Sequence, residues 1–196
     1  MPALDLTRVA REELAALTGF LSEADLTVSG LDAPSVRLWV ERDGEDIVGS
    51  TGYELCGEHA LIRSVAVREG GRRAGRGSAL ARFALDAAAA EGASRAWLFS
   101  RRSGPFWRGL GFTPADRDAL AAVLADTQQV QLFARTGQLQ REVAWSMRLA
   151  EAGSAAGEGR QDVDQVVGAE GGRVVEPGAS DEHGAAGEDA AEPRML

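Results

Sequence analysis

The chemically most pointed stretch of the chain is Gly70-Gly71-Arg72-Arg73-Ala74-Gly75-Arg76-Gly77. It follows an apolar segment, Leu61 to Val67, that reads as a strand. It runs into Ser78 to Glu91, composed almost entirely of helix formers. A strand, a glycine turn and a helix N-terminus outline an anion site. The first-turn N–H groups lack intrahelical partners, and the helix dipole adds positive potential. Glycines let a ligand approach the backbone, and Arg72, Arg73 and Arg76 carry charge suited to phosphate. Two nucleotide motifs fail here. A P-loop needs Gly-Lys-Ser/Thr, and the chain has no Lys. A dinucleotide loop needs a third glycine that Gly75-Arg76-Gly77-Ser78-Ala79-Leu80 does not supply. On residues alone, the loop is either a phosphate cradle or a solvated turn with its arginines in water.

The other reactive side chains exclude more than they suggest. One cysteine, Cys56, rules out an intrachain disulfide, and with only His59 and His183 beside it no Cys/His metal cage is expected. A lone strand cysteine reads as a packing residue. Trp39, Trp97, Phe106, Trp107 and Trp145 read as core or cleft wall. The formal charge of −9 sits mostly in residues 151–196, which hold eleven acids against three arginines. The rest is close to neutral, so nucleic-acid binding is not expected. No apolar run approaches the roughly 18 residues of a membrane span. The first 20 residues carry Asp5, Glu12 and Glu13 and no apolar signal region, which points to the cytoplasm.

These residues need a scaffold, and 196 residues allow about one domain with something extra. The spacing predicts a helix over 11–24. A strand over 35–42 places Val36, Leu38 and Val40 on one face and Arg37 and Trp39 on the other. Asp43-Gly44 predicts a hairpin turn, 46–55 the return strand and 61–67 a third, giving an antiparallel meander. The helix over 78–91, capped by Gly92, leads to a short buried strand over 96–99 through a parallel crossover. A short helix over 105–108, a strand starting at Gly111, a helix over 118–125 and a last strand over 143–149 complete a mixed α/β body, 1–150. Residues 151–196, rich in Gly, Ala, Glu and Asp, bury too little apolar surface to offset ordering and are expected to be a disordered tail.

In order and spacing, Ser64-Val65-Ala66-Val67, the Arg72-x-x-Gly75-x-Gly77 loop, the Ala-rich helix and Phe106-Trp107-Arg108-Gly109-Leu110-Gly111-Phe112 resemble the acetyl-CoA-binding core of the GNAT N-acetyltransferase superfamily. The resemblance covers roughly 36–115. It implies a mixed sheet flanked by helices and opened by a splay between its central parallel strands, with acetyl-CoA as cosubstrate. It also implies that the backbone of Val65 and Val67 pairs with the pantetheine arm. Arg72, Arg73, Ala74, Gly75, Arg76, Gly77 and Ser78 would then surround the pyrophosphate. More narrowly, Gly52 to Gly57, Ala60 to Val67 and Phe112 to Thr127 resemble the arsenic-resistance-associated N-acetyltransferases. They are more distantly similar to short bacterial amino-acid N-acetyltransferases of the glutamate-acetylating kind.

The implied reaction is attack of an amine on a thioester, which needs no enzyme nucleophile. It needs a neutral amine, a polarised carbonyl and a fate for the thiolate. Glu54 is the base candidate, with Glu58 second. Tyr53, the only tyrosine, is either a cleft acid or a packing residue. The usual superfamily acid, a tyrosine on the helix after the fifth strand, has no counterpart at Phe106-Trp107; Ser103 or water could take that part. Arg63 either clamps a substrate carboxylate or pairs with a neighbouring glutamate. The expected function is acetyl transfer to a primary amine of a small molecule, an amino acid or amino-acid-like toxin. The alternative is a non-catalytic acyl-CoA-binding or regulatory domain. A homodimer is compatible with the sequence.

Overall fold

The antiparallel meander forms, preceded by a short strand that the sequence pattern does not announce. β1 (Leu6–Arg8) pairs with β2 (Val36–Asp43), β2 with β3 (Asp46–Cys56), and β3 with β4 (His59–Val67), all antiparallel. The structure is a computed structural model that describes residues 4–68 and 75–150. Arg72, Arg73, Ala74 and the expected tail lie outside the described residues. β5 (Arg95–Phe99) runs parallel to β4, and β7 (Ala144–Arg148) lies between β5 and β6 (Thr113–Ala115). The result is a mixed α/β fold built on a seven-stranded sheet of order β1-β2-β3-β4-β5-β7-β6.

Each face of the sheet is covered according to its side-chain alternation. Val36, Leu38, Val40 and Ala66 face α1 (Leu14–Glu23), which buries Leu17, Phe20 and Leu21 against them. α2 (Arg76–Ala90) lies on the opposite face and packs Ala81, Ala84, Leu85 and Ala88 over Tyr53, Ala60 and Ile62. Its small side chains let the helix approach closely enough for Thr51 Oγ1 to donate to the Leu80 carbonyl at 2.9 Å. Within β3, a Cβ on Gly52 would collide with the backbone carbonyl of Arg37 on the neighbouring strand.

α3 (Gly104–Gly109) follows β5, with Trp107 buried. Between β6 and β7 stand α4 (Arg117–Val123) and α5 (Gln128–Thr136). They bury Leu120, Leu124 and Val130 against Leu61, Trp97 and Ala144. α4 starts earlier than its apolar pattern suggests because Asp116 caps it, accepting from Ala119 N at 2.6 Å. α2 also starts two residues early, at Arg76, because Gly75 adopts φ +87° and serves as its N-cap. β6 begins at Thr113 rather than Gly111: Gly111 turns with φ +100° and Phe112 drops into the core.

Candidate active site

The central feature is where β4 and β5 part. Their parallel register runs through His59–Arg95, Ala60–Ala96 and Leu61–Trp97, then stops. Residues 62–67 of β4 therefore have β3 on one side and no strand partner on the other. This is the splay expected between the central parallel strands, and Val65 and Val67 lie on its open flank. Opposite, the β3 register jumps from Gly52–Arg63 to Ser50–Ala66. Two β4 residues, Ser64 and Val65, thus oppose the single Thr51, a β-bulge. Ser64 adopts φ +58°, which few non-glycine residues do.

The N-terminus of α2 stands beside this flank. Gly75 offers no side-chain cap, so the first-turn N–H groups at Arg76, Gly77 and Ser78 keep the anion-binding character of a helix start. A Cβ placed on Gly77 would lie 3.7 Å from the Phe106 ring and 3.9 Å from Val67. Gly77 thus lines a narrow gap between α2, β4 and α3, a gap that a larger residue would fill. These features fit the phosphate and pantetheine of a coenzyme A thioester. The Arg76 guanidinium is committed differently from the sequence expectation. Its Nε donates to Glu41 Oε2 at 2.6 Å and its Nη2 pairs with the other carboxylate oxygen. The charge that the sequence offered to a phosphate is therefore held by Glu41.

On the other face, β3 and β4 place Glu54 and Arg63 together as a buried ion pair, with side chains 0% and 2% exposed. Arg63 Nη1 donates to Glu54 Oε2 at 3.2 Å and Nη2 to the Ser29 carbonyl at 2.6 Å. Glu54 Oε1 accepts from Ser35 Oγ at 3.1 Å and from the backbone N–H of Gln128, the first residue of α5, at 2.8 Å. Burial holds the Arg63 guanidinium below the ordinary arginine value, and Glu54 opposes that shift. Of the two readings of Arg63, the geometry has the ion pair. Glu54 likewise departs from its expected place: both oxygens are taken and it has no exposed surface, so it is not set to relay a proton to an amine in a solvated cleft. It ties the 29–35 segment and α5 to the sheet.

Tyr53 is also not where a cleft acid would be. As the neighbour of Glu54 on β3 it faces the opposite way, under α2, and is fully buried. Its hydroxyl donates to Glu91 Oε1 at 2.5 Å, while Arg37 Nε holds the other Glu91 oxygen at 3.2 Å. Burial first, then the Glu91 carboxylate, push the phenol far above its ordinary value of 10.0. A phenol so raised favours the protonated folded state. Its contribution to stability is complete below about pH 10 and is lost as pH rises beyond. With no Lys and a single Cys, few other groups titrate there. Alkaline melting of wild type should therefore show stability falling above about pH 10. Tyr53→Phe should flatten that slope, lower stability near neutrality by about 1.5–3 kcal/mol and leave catalysis unchanged. A Tyr53→Phe protein with wild-type stability and lost activity would return Tyr53 to the chemistry.

The profile described as the Acetyltransferase (GNAT) family matches residues 6–112, more than half of the chain. The chain belongs to the GNAT acetyltransferase family. Among solved structures, N-acetylglutamate synthase from Neisseria gonorrhoeae, complexed with coenzyme A and N-acetyl-glutamate, is 18% identical with a TM-score of 0.59. The match covers 77% of this chain and 36% of that one, so this GNAT domain spans about a third of the synthase. A Mycobacterium tuberculosis protein in complex with CoA and NLQ is 16% identical with a TM-score of 0.56, over 74% and 99% of the two chains. The ribosomal-protein-S18-alanine N-acetyltransferase of Escherichia coli is 13% identical with a TM-score of 0.51, over 80% and 100%. At these identities the likeness is one of fold. No curated protein matches the sequence. Among the described residues, no helix of this GNAT chain is long and apolar enough to cross a membrane.

Sequence reasoning missed the partners that give Glu54 and Arg63 their setting. Ser29 sits in an irregular segment without a pattern, and Ser35, expected as the first residue of a strand, precedes β2, which begins at Val36. Gln128 opens α5, whose Val130–Phe133 spacing after Thr127 and before Gly137 was a readable helix signal. Ser64 carried no signal, because its positive φ is a product of the bulge.

Proposed function

We propose that this GNAT domain transfers the acetyl group of acetyl-CoA to the primary amine of a small molecule, an amino acid or amino-acid-like toxin. The observation that carries the reading is the parting of β4 from β5 at Leu61 beside a glycine-capped, 15-residue α2. Val65, Val67, Gly75, Gly77 and Ser78 hold the cosubstrate through backbone groups and empty space. Bound acetyl-CoA supplies an activated carbonyl and a thiolate leaving group, and because thiols are far more acidic than alcohols or amines the departing sulfur needs no strong acid. The acceptor reaches the carbonyl through the opening left where β4 parts from β5. With Glu54 sealed, the ammonium proton of the acceptor passes to water.

The acceptor class is supported by the residue-level resemblance of 52–67 and 112–127 to the arsenic-resistance-associated group. It is further supported by the fold shared with an enzyme crystallised with N-acetyl-glutamate. The test is CoA release by the full chain with a panel of amino acids, polyamines, aminoglycosides and phosphinic or arsinic amino-acid analogues. Turnover confined to amines that carry a neighbouring acid group is expected. Tight acetyl-CoA binding with no turnover on any amine would favour a non-catalytic acyl-CoA-binding domain. That reading draws on Phe106-Trp107, which offers no phenol beside the flank.

A further inference from the structure

Resting on the acetyltransferase reading, we propose that Arg102 determines specificity for the acceptor: its guanidinium takes the acid group of an amino-acid-like amine, in exchange for the Asp25 carboxylate that holds it in this structure. The placement comes from the segment that follows α1. At one end of that segment, the Ser29 carbonyl accepts from Arg63 at 2.6 Å, and Arg63 lies in the part of β4 that has no β5 beside it. At the other end, Asp25 pairs with Arg102, in the loop that leaves β5 after Phe99. Residues 25–29 are thus tied to β4 at one end and to the β5 side at the other, so they cross the opening between the two strands. Where parallel strands part, their carboxyl ends are where an α/β sheet takes its ligands. Arg102 stands at the carboxyl end of β5.

Exposure sets this ion pair apart from its neighbours. The Arg63–Glu54 pair is sealed, with side chains 2% and 0% exposed. Arg101 meets Glu142, whose carboxylate is buried and also accepts from Gln138 at 2.9 Å. The Arg102 and Asp25 side chains are 53% and 65% exposed, open to a ligand from solvent. An exposed pair contributes little stability, so trading one carboxylate for another costs little. The backbone beneath Arg102 is fixed all the same. Trp145 Nε1 donates to the Ser100 carbonyl at 2.9 Å, and the Ser103 N–H donates to Ser100 Oγ at 3.1 Å.

Asp25 adds a second observation. It holds φ +55° just past α1, where the Leu26 N–H closes on the Leu21 carbonyl at 2.9 Å. Glycine is the usual residue at such a helix end, and an aspartate there carries a conformational cost. What its side chain adds in return is the bond to Arg102. The guanidinium fork can hold a carboxylate or phosphinate by two parallel N–H···O bonds. An acceptor held by its acid group keeps its amine free to enter the opening. An amine without an acid group leaves Asp25 in place on Arg102.

The test uses the full chain with acetyl-CoA and, as acceptors, the common amino acids, their α-carboxamides, and phosphinic and arsinic amino-acid analogues. Arg102→Ala should raise KM about 10–100-fold for the acids that wild type uses, with kcat near wild type and little change for the carboxamides. Asp25→Asn should move the other way. Asparagine tolerates the left-handed backbone, the competing charge is gone, and KM for the same acids should fall about 2–5-fold. A pair that only braced the surface would be broken by either variant, and both would shift KM in the same direction. Arg102→Lys keeps the charge but not the fork and should fall between wild type and Arg102→Ala. Acetyl-CoA affinity, measured by calorimetry, should stay near wild type in all three.

If wild type acetylates acids and Arg102→Ala leaves their KM unchanged, the Arg102 assignment is overturned while the acetyltransferase reading stands. The outcome is the same if Arg102→Ala impairs acids and carboxamides equally, if Asp25→Asn raises KM as Arg102→Ala does, or if wild type acetylates only amines without an acid group. If wild type binds acetyl-CoA and acetylates no amine, the acetyltransferase reading falls and the Arg102 assignment with it.

Discussion

Arg63→Ala should destabilise the folded domain by about 3–5 kcal/mol, because it strands the Glu54 carboxylate in a site from which water is excluded. Glu54 would keep Ser35 Oγ and the Gln128 N–H but lose the one counter-charge it has among the described residues. The melting temperature should drop on the order of 10 °C for a domain of this size. Glu54→Gln should also destabilise, since it leaves the guanidinium without its carboxylate and loosens the attachment of α5. The double change Arg63→Met with Glu54→Gln should recover most of the loss, because no charge is then left buried alone. Acetyl-CoA affinity should survive in whichever variants fold, since neither side chain belongs to the α2 cradle. An Arg63→Ala protein within 1 kcal/mol of wild type that has lost only amino-acid turnover would show a substrate clamp instead of a structural pair. A Glu54→Gln defect in kcat that disappears at high pH, in a protein of unchanged stability, would restore the base assignment.

How far the sequence reaches is visible at these same residues. Alternation assigned Val36, Leu38 and Val40 to one face and Trp39 to the other, and the strand keeps that division. The meander, the Ala-rich crossover helix and the parallel strand after it all follow from apolar periodicity and glycine punctuation. Those signals are local, and so are the elements they specify. The setting of Glu54 is not local. Its three partners come from residues 35, 63 and 128, which are joined only by the folded topology. A sequence offers Glu54 as a carboxylate and cannot say that its lone pairs are spoken for. Arg76 teaches the same lesson: its spacing suits a phosphate loop, yet Glu41, 35 residues earlier, takes its charge. Ser64 marks a third kind of limit. A bulge arises when two strands disagree by one residue in register, and neither strand alone encodes the disagreement.

The glycines of the α2 cap should separate binding from folding. Gly75→Val places a β-branched residue at φ +87°, where L side chains are strained by about 1–3 kcal/mol, so the cap must rearrange. With the cap displaced, the first-turn N–H groups no longer converge, and acetyl-CoA affinity should fall by about 10²-fold or more, equivalent to about 2.7 kcal/mol. That variant alone would leave strain and lost space entangled. Gly77→Ala disentangles them. Gly77 sits in the first turn of α2, and a Cβ there meets only ordinary contacts at 3.7–3.9 Å from Phe106 and Val67. Alanine also favours the helix, so stability should hold or rise by up to about 1 kcal/mol. The same methyl group enters the gap that the cosubstrate needs, so acetyl-CoA affinity should drop by about tenfold, a loss of about 1.4 kcal/mol. Stability and affinity thus move in opposite directions in one protein, which neither misfolding nor a merely structural glycine produces. Calorimetry that finds wild-type affinity in a folded Gly77→Ala chain, together with a Gly75→Val chain that also binds normally, would remove this helix start as the phosphate cradle.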